Sequence, residues 1–391
     1  MALRMIFFQK KCSRLYCFLI ILTHFIFVSE TIFGIKNPDR LAPLPVGPQH
    51  FFYFDYPVYV PSSARVRDAG SFNVEFDYFH VNFLGKSVNH GVDIGSGGKS
   101  TGLDFEFKHC GHYFPGGLEG FDWNCKQQGY SILQDGETLR RGLQVSLGLG
   151  ARLELQLSKH ETRFRGGDLD RFAEDINSKF DLSNSDREGF PRNDLGIYVW
   201  DNENLKFIYR LDQASSGYQP DSTILALKWG LIQGKSISLA FRYATNQQGG
   251  LIYKNNQAGD DDSSFEGFRD RLLALDLNWA FQTWAFHLGY GQTQLGNRLF
   301  NLSPTGLNFQ FYALMGRLGQ ESEWVLQDLT YGSLFPRDGR EAMHLPLRER
   351  TLGARIRFGD RFAWRFGMVK NMTDYPNNID LALFSGISLA F

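Results

Sequence analysis

The sequence predicts an all-β protein: a transmembrane, antiparallel, up-and-down β-barrel of about 14 strands, with 12 or 16 left open. Three observations carry that expectation. Apolar and other residues alternate with a period of two along most of the later two-thirds of the chain. The connections between the alternating runs are by turns very short and long. The last run ends on an aromatic, with Leu381, Leu383, Ile387, Leu389 and Phe391 on one side and Ala382, Phe384, Gly386, Ser388 and Ala390 on the other. In a soluble sheet that strand would be an exposed edge; a closed barrel pairs it with the first strand.

Composition narrows the function classes. Lys and Arg number 41 against 42 Asp and Glu, so no bulk charge favours nucleic acid, and none is expected as a partner. Aromatics at 15% and 41 glycines suit tight-turned strands better than helices. The one long apolar run, Leu15 to Val28, follows Arg4, Lys10, Lys11 and Arg14. It is too short for a comfortable spanning helix and reads as a secretory leader, assigned to residues 1–34, with an uncleaved anchor as the alternative. Cys12 and Cys17 fall in that leader. In an exported chain the remaining pair, Cys110 and Cys125, most simply forms one disulfide across a loop. His109 and His112 flank Cys110, but the spacing fits no zinc pattern, so neither metal nor cofactor is expected.

Residues 35–70 form a Pro-rich segment, read as a periplasmic lead-in or a piece tucked into the barrel mouth, because its prolines bar it from a central strand. Residues 71–391 form the barrel. Tight links fall at Leu149–Ala151, Asp201–Asn204, Ile232–Lys235, Phe281–Thr283, Gly319–Glu321 and Gly359–Arg361. Gly, Asn and Asp recur there because two-residue hairpins need positive backbone dihedrals. Long polar connections lie between them, which is the asymmetry of short periplasmic turns and long extracellular loops. Within the second long connection, Leu169, Phe172, Ile176 and Phe180 recur at helical spacing after Asp168, a candidate N-cap. A short amphipathic helix is expected there, over or inside the barrel mouth or merely on the surface.

Alternation assigns Leu205, Phe207 and Tyr209 to the lipid face, with Leu225, Leu227 and Trp229. Leu275, Leu277 and Trp279 join them, as do Trp284, Phe286, Leu288 and Tyr290. Residues 308–318 and 323–331 have a blurred phase. The opposite face carries a basic set of Arg152, Lys206, Arg210, Lys228, Arg242, Arg355, Arg357 and Arg365 against Glu154 and Asp276. A charge in lipid near the midplane costs about 2–4 kcal/mol, so these residues are expected to face the lumen. They would favour anionic solutes in an open lumen, or bridge internally in a closed one.

No local pattern ties Ser87, His80, His90 or His160 into a nucleophile and base, so no catalytic residue is expected. Asp260, Asp261, Asp262 and Glu266 make an acidic cluster that reads as a solvated loop tip.

Two resemblances sharpen the expectation. A final alternating strand carrying Ile387, Leu389 and Phe391 resembles the C-terminal assembly signal of bacterial outer-membrane barrels, implying the barrel-assembly machinery as a partner. Pro43–Gln49 with Pro61–Gly70, Leu133–Arg140 with Gly148–Leu155, and Gly167–Phe172 through Arg187 to Pro191–Asn193, in that order, resemble an uncharacterised family of bacterial exported proteins thought to be outer-membrane barrels. That family has no established activity, so the resemblance transfers architecture and no site. The expected function is a passive diffusion or uptake channel with a net basic lumen, in contact with outer-membrane lipid and lipopolysaccharide and passing small anionic solutes. A surface-binding or structural barrel is the alternative, and an outer-membrane lipid-modifying enzyme a weaker one.

Overall fold

The computed structural model describes residues 41–50, 53–54, 56–86, 130–167, 169–179, 195–201, 206–211, 214–248, 270–295, 306–334, 346–372 and 378–391. The leader, Cys110 and Cys125, Ser87, His90, Leu205 and the acidic cluster at 260–262 lie outside the described residues.

One antiparallel sheet contains β1 (Phe72–Lys86), β2 (Tyr130–Gly150), β3 (Leu153–Arg165), β4 (Gly196–Asp201), β5 (Lys206–Leu211), β6 (Gln219–Gln233) and β7 (Ile237–Gln248). It continues with β8 (Arg271–Ala280), β9 (Trp284–Gln294), β10 (Gly306–Arg317), β11 (Ser322–Tyr331), β12 (Leu347–Phe358), β13 (Phe362–Asn371) and β14 (Asn378–Ala390). Twelve strands close a ring, because β1 bonds to both β14 and β2. At the seam Phe72 and Phe391 exchange backbone hydrogen bonds of 3.1 and 2.9 Å. Their rings stack at 4.5 Å. No edge remains there.

The other two strands stay outside the ring. β2 is 21 residues long, and its first residues, Tyr130 to Asp135, overhang the end of β3 at the Glu137–Arg165 pair. β4 bonds to that overhang and β5 to β4, so the two make a hairpin at the long-loop end. Asp201 and Lys206, which flank the tight Asp201–Asn204 link, pair beside Tyr130 at the end of the hairpin farthest from the ring, so that link does not join strands at the short-turn end. This is why the ring closes on twelve, one of the counts the sequence left open. It also moves Tyr209 off the lipid face: Tyr209 is fully buried, in one apolar cluster with Ile197 and Phe54.

Elsewhere the alternation holds in three dimensions. Leu143, Val145 and Leu147 on β2, Leu225, Leu227 and Trp229 on β6, and Tyr290, Tyr312 and Leu352 beyond are exposed on the outer wall. At the β8–β9 turn Phe281 stacks on Trp284 at 3.9 Å, and Trp279 lies tilted against Phe281 at 4.8 Å. Exposed apolar side chains encircling a ring with no free edge need lipid as solvent. The chain is a transmembrane β-barrel of the outer-membrane kind.

The expected helix forms as α1 (Asp170–Lys179). It sits on neither side of the mouth but against the outer wall. The Leu169 amide donates to Glu137, and Asn82 Nδ2 donates to Asp170 at 2.8 Å. Asn82 and Glu137 pair in register, on the same face as exposed Phe76 and Leu143.

Candidate functional site: a plugged lumen with a basic vestibule

The lumen holds a piece of the chain itself. Residues 41–70 enter beside Arg355, low on the wall near the short turns, where Arg355 Nη2 donates to the Pro43 carbonyl at 3.0 Å. Higher up, the Leu44 amide donates to Gln327 Oε1 at 3.1 Å and its carbonyl accepts from Gln327 Nε2 at 3.3 Å. The Gln49 amide reaches both oxygens of Glu349 at 3.0 and 3.1 Å. The segment reverses near the long-loop end, where the Tyr53 hydroxyl donates to the Gly332 carbonyl at 2.8 Å. It then descends past Tyr59 to Ser63, whose carbonyl accepts from Lys228 at 3.2 Å, and runs into β1. The result is a looped stopper with two limbs.

Its composition explains the wall. Pro43, Pro45, Pro48, Pro57 and Pro61 have no N–H, so this segment offers the lumen more acceptors than donors. A buried carbonyl without a partner is costly, and the wall answers with donors. Arg355 serves Pro43, Thr293 serves Pro57 at 3.3 Å, Arg242 serves Val60, and Gln233 serves Ala64 at 3.1 Å. Part of the inward basic bias thus matches the stopper.

Aromatic packing fills the middle. Tyr59 stacks on Phe309 at 4.4 Å, and Phe309 on Tyr331 at 5.5 Å. Gly289 faces Tyr59, and Gly353 faces Leu44, whose Cδ1 would lie 2.7 Å from a Cβ placed there. Any larger residue at either position would collide with the stopper. The Tyr59 hydroxyl donates to Asp276, which also pairs with Arg242 at 2.9 Å and lies 3.4 Å from His287. Near the long-loop end Arg140 lies over the Phe54 ring at 4.1 Å and pairs with Asp221 at 2.8 Å.

The sequence-predicted basic set divides. Lys228, Arg242, Arg355 and Arg365 are buried on the inner wall. Lys228 pairs with Glu154 at 2.9 Å; Arg355 and Arg357 share Glu323 at 2.8 and 2.9 Å. Arg365 reaches across Gly386 of β14 to Glu75 and Asp77 at 2.8 and 2.9 Å. Arg152 is not on the wall: it is exposed in the β2–β3 turn at φ 64°, donating to the Leu231 carbonyl at 3.3 Å. Lys206 and Arg210 belong to β5, outside the ring, and so leave the wall set. Sequence reasoning missed Arg140 and the carboxylates Glu75, Asp77, Asp221, Glu323 and Glu349, because alternation within one strand does not show which residues of other strands it will meet across the ring. Each of the six described wall bases, Arg140 included, has a carboxylate partner, so among the described residues the wall carries no unpaired cation of this set.

Cations gather instead in a cavity of about 750 Å³ at the short-turn end. Both limbs of the stopper border it, through Pro43 and Ser63. Arg65, Arg67, Arg152, Lys228, Arg355, Arg357, Arg361 and Arg365 line it, against Asp68, Glu75, Glu154 and Asp360. Its excess positive charge comes from the stopper and from the turns.

The catalytic alternatives find no assembled triad among the described residues. His160 Nδ1 lies 3.2 Å from the buried Ser222 hydroxyl, but Ser222 donates to Asp221 at 2.8 Å, so the carboxylate engages the serine and Arg140 rather than orienting the imidazole. His80 Nε2 lies 2.5 Å from Glu137 beneath α1. No cluster of three or more His, Cys, Asp or Glu able to hold a metal occurs among the described residues.

Among solved structures, the chain is similar to the COG4313 outer-membrane channel from Pseudomonas putida F1 at 10% identity, covering 85% of this chain and 100% of that one, with a TM-score of 0.45. The NanC porin matches at 8% identity over 67% of this chain and 98% of its own, with a TM-score of 0.40. A Pseudomonas aeruginosa FadL homologue matches at 11% identity over 90% and 98%, with a TM-score of 0.33. At this level of similarity nothing about transport passes from those proteins to this chain. No family model matches, including any for the uncharacterised family the motifs resemble, and no curated protein matches.

Proposed function

We propose that the protein is an outer-membrane channel that is shut in the state described here, with residues 41–70 as its stopper and the basic vestibule as the selective end of the path. The observation that carries this reading is how the stopper is held. It sits in the lumen through side-chain hydrogen bonds and aromatic stacking, contacts that break and reform without rebuilding the ring. A barrel of this strand count encloses room for a solute path once such a segment moves. The vestibule's cations favour small anionic solutes.

Single-channel recording of the refolded full chain in planar bilayers tests it. The wild type gives long silent intervals. Leu44→Ala with Tyr59→Ala removes two wedging side chains, each worth about 2–5 kcal/mol of packing, and raises the open fraction by more than about tenfold. A variant that refolds to a heat-modifiable barrel yet stays silent overturns the channel reading and leaves the fold standing. The surface-binding alternative keeps one observation in its favour, the β4–β5 hairpin standing beyond the ring at the long-loop end.

A further inference from the structure

The outer wall is not chemically symmetric from end to end. Toward the short turns it ends in aromatic and apolar side chains, with Phe72, Trp229, Trp284, Phe358 and Phe391 all exposed. At the long-loop end the same outward rows turn basic. On β2 and β3, Leu147, Val145 and Leu143 give way to Arg141, and Leu157 gives way to Lys159, Glu161 and Arg163. On β12, Leu352 gives way to Arg350 and Arg348. Across β11, β12 and β13, Asp328, Arg350 and Lys370 stand in one register row.

The height of these residues is set by strand geometry. A strand crosses the apolar layer in about 9–11 residues. Counted upward from Leu149, Phe358 and Phe362, about nine residues reach Arg141, Arg350 and Lys370 respectively. Three strands, with β14 and β1 lying between β13 and β2, therefore place cations at one level, where acyl chains end and headgroups begin.

The side chains face outward and stay accessible. Arg141 and Lys159 are 45% and 55% exposed, and Arg348 and Arg350 are 48% and 42% exposed. Each patch holds three cations to one carboxylate. Glu161 pairs with Arg141 at 2.6 Å and Lys159 at 3.3 Å, while Asp328 is shared by Arg348 and Arg350 at 3.1 and 3.0 Å. One carboxylate orients two cations without neutralising the patch, and a guanidinium has five donors. The Nε of Arg163 is buried with no hydrogen-bond partner. Such a surface, flush with an apolar belt, fits an amphiphile whose tails lie on the belt and whose phosphates meet the guanidinium forks.

We propose that these two patches bind phosphorylated lipid headgroups of the leaflet on the long-loop side, holding the barrel in an anionic glycolipid surround. The inference rests on the membrane-barrel architecture and is independent of whether the lumen conducts.

Native mass spectrometry of the detergent-solubilised full chain tests it, offering a lipid with two phosphate groups and, separately, phosphatidylcholine. The wild type retains the bisphosphorylated lipid in preference, and added salt weakens that retention. Arg141→Gln with Lys159→Gln, or Arg348→Gln with Arg350→Gln, lowers it by about 25-fold at the affected patch, roughly fivefold for each side chain near an anionic surface. Phosphatidylcholine retention stays unchanged. Equal retention of both lipids by the wild type, or variants that bind like the wild type, overturns the proposal. Displacement of the lipid by millimolar inorganic phosphate also overturns it, marking a site for soluble phosphate instead. Retention of neither lipid by the wild type overturns it too.

Discussion

At the scale of single residues, the buried ion pairs decide what the lumen tolerates. Arg365 holds two carboxylates, Glu75 and Asp77, across the gap that Gly386 leaves in β14. Removing one partner of a buried pair costs about 3–5 kcal/mol, because the orphaned charges stay desolvated. Arg365→Ala therefore lowers the urea midpoint of the folded barrel sharply. Adding Glu75→Gln and Asp77→Asn restores most of the loss, and a triple variant no more stable than Arg365→Ala would refute the pairing account. Arg365 was legible as an inward residue from alternation alone. Its partners were not, since Glu75 and Asp77 lie nearly 300 positions away on β1 and meet it only because the ring closes. The same limit hid Asp221 from Arg140, which pair between β2 and β6.

At the scale of elements, the stopper and the strands around it were read unequally well. Residues 35–70 stood out by their prolines as something other than a wall strand, and the mouth was one of two places expected for them. The threading of the described part of this segment, from Leu41 onward, through the lumen accounts for the strands whose phase was blurred. On β10, Phe309, Phe311, Ala313 and Met315 are buried inward against the stopper while Tyr312 and Leu314 face outward, so both faces are apolar and the period-two signal cancels. The β4–β5 hairpin misled for the opposite reason, since a tight link between two alternating runs looks the same at either end of a barrel. Seating of the stopper gives a direct prediction. Gly289→Leu collides with Tyr59 and drives the segment toward its displaced state. Limited proteolysis of that variant in detergent cuts within residues 41–70 many times faster than in the wild type, while heat-modifiability persists. Equal cleavage rates would mean the segment has slack enough to absorb the clash.

At the scale of the whole molecule, fold class, ring closure and lipid belt were all written into alternation, turn chemistry and the apolar last strand. The distribution of charge was legible only in part. The sequence pointed to a basic lumen; each described wall cation has a carboxylate partner, Arg355 and Arg357 sharing one, and the surplus lies at one end, where Arg65 and Arg67 of the stopper line the same cavity as Arg152 and Arg361 of the turns. Arg152→Glu with Arg361→Glu moves the reversal potential of the open channel toward cation preference in a salt gradient. An unshifted potential would separate selectivity from the vestibule. The stopper's shape has a directional corollary. Both of its limbs descend to the same face, and its trailing limb runs straight on into β1 while the Gly70 amide ties it to β2 by donating to the Gly148 carbonyl at 2.9 Å. Like a cork on a string fastened below, it can be drawn down but not expelled upward, so traction from the short-turn side unseats it and a pull from the far side tightens its leash.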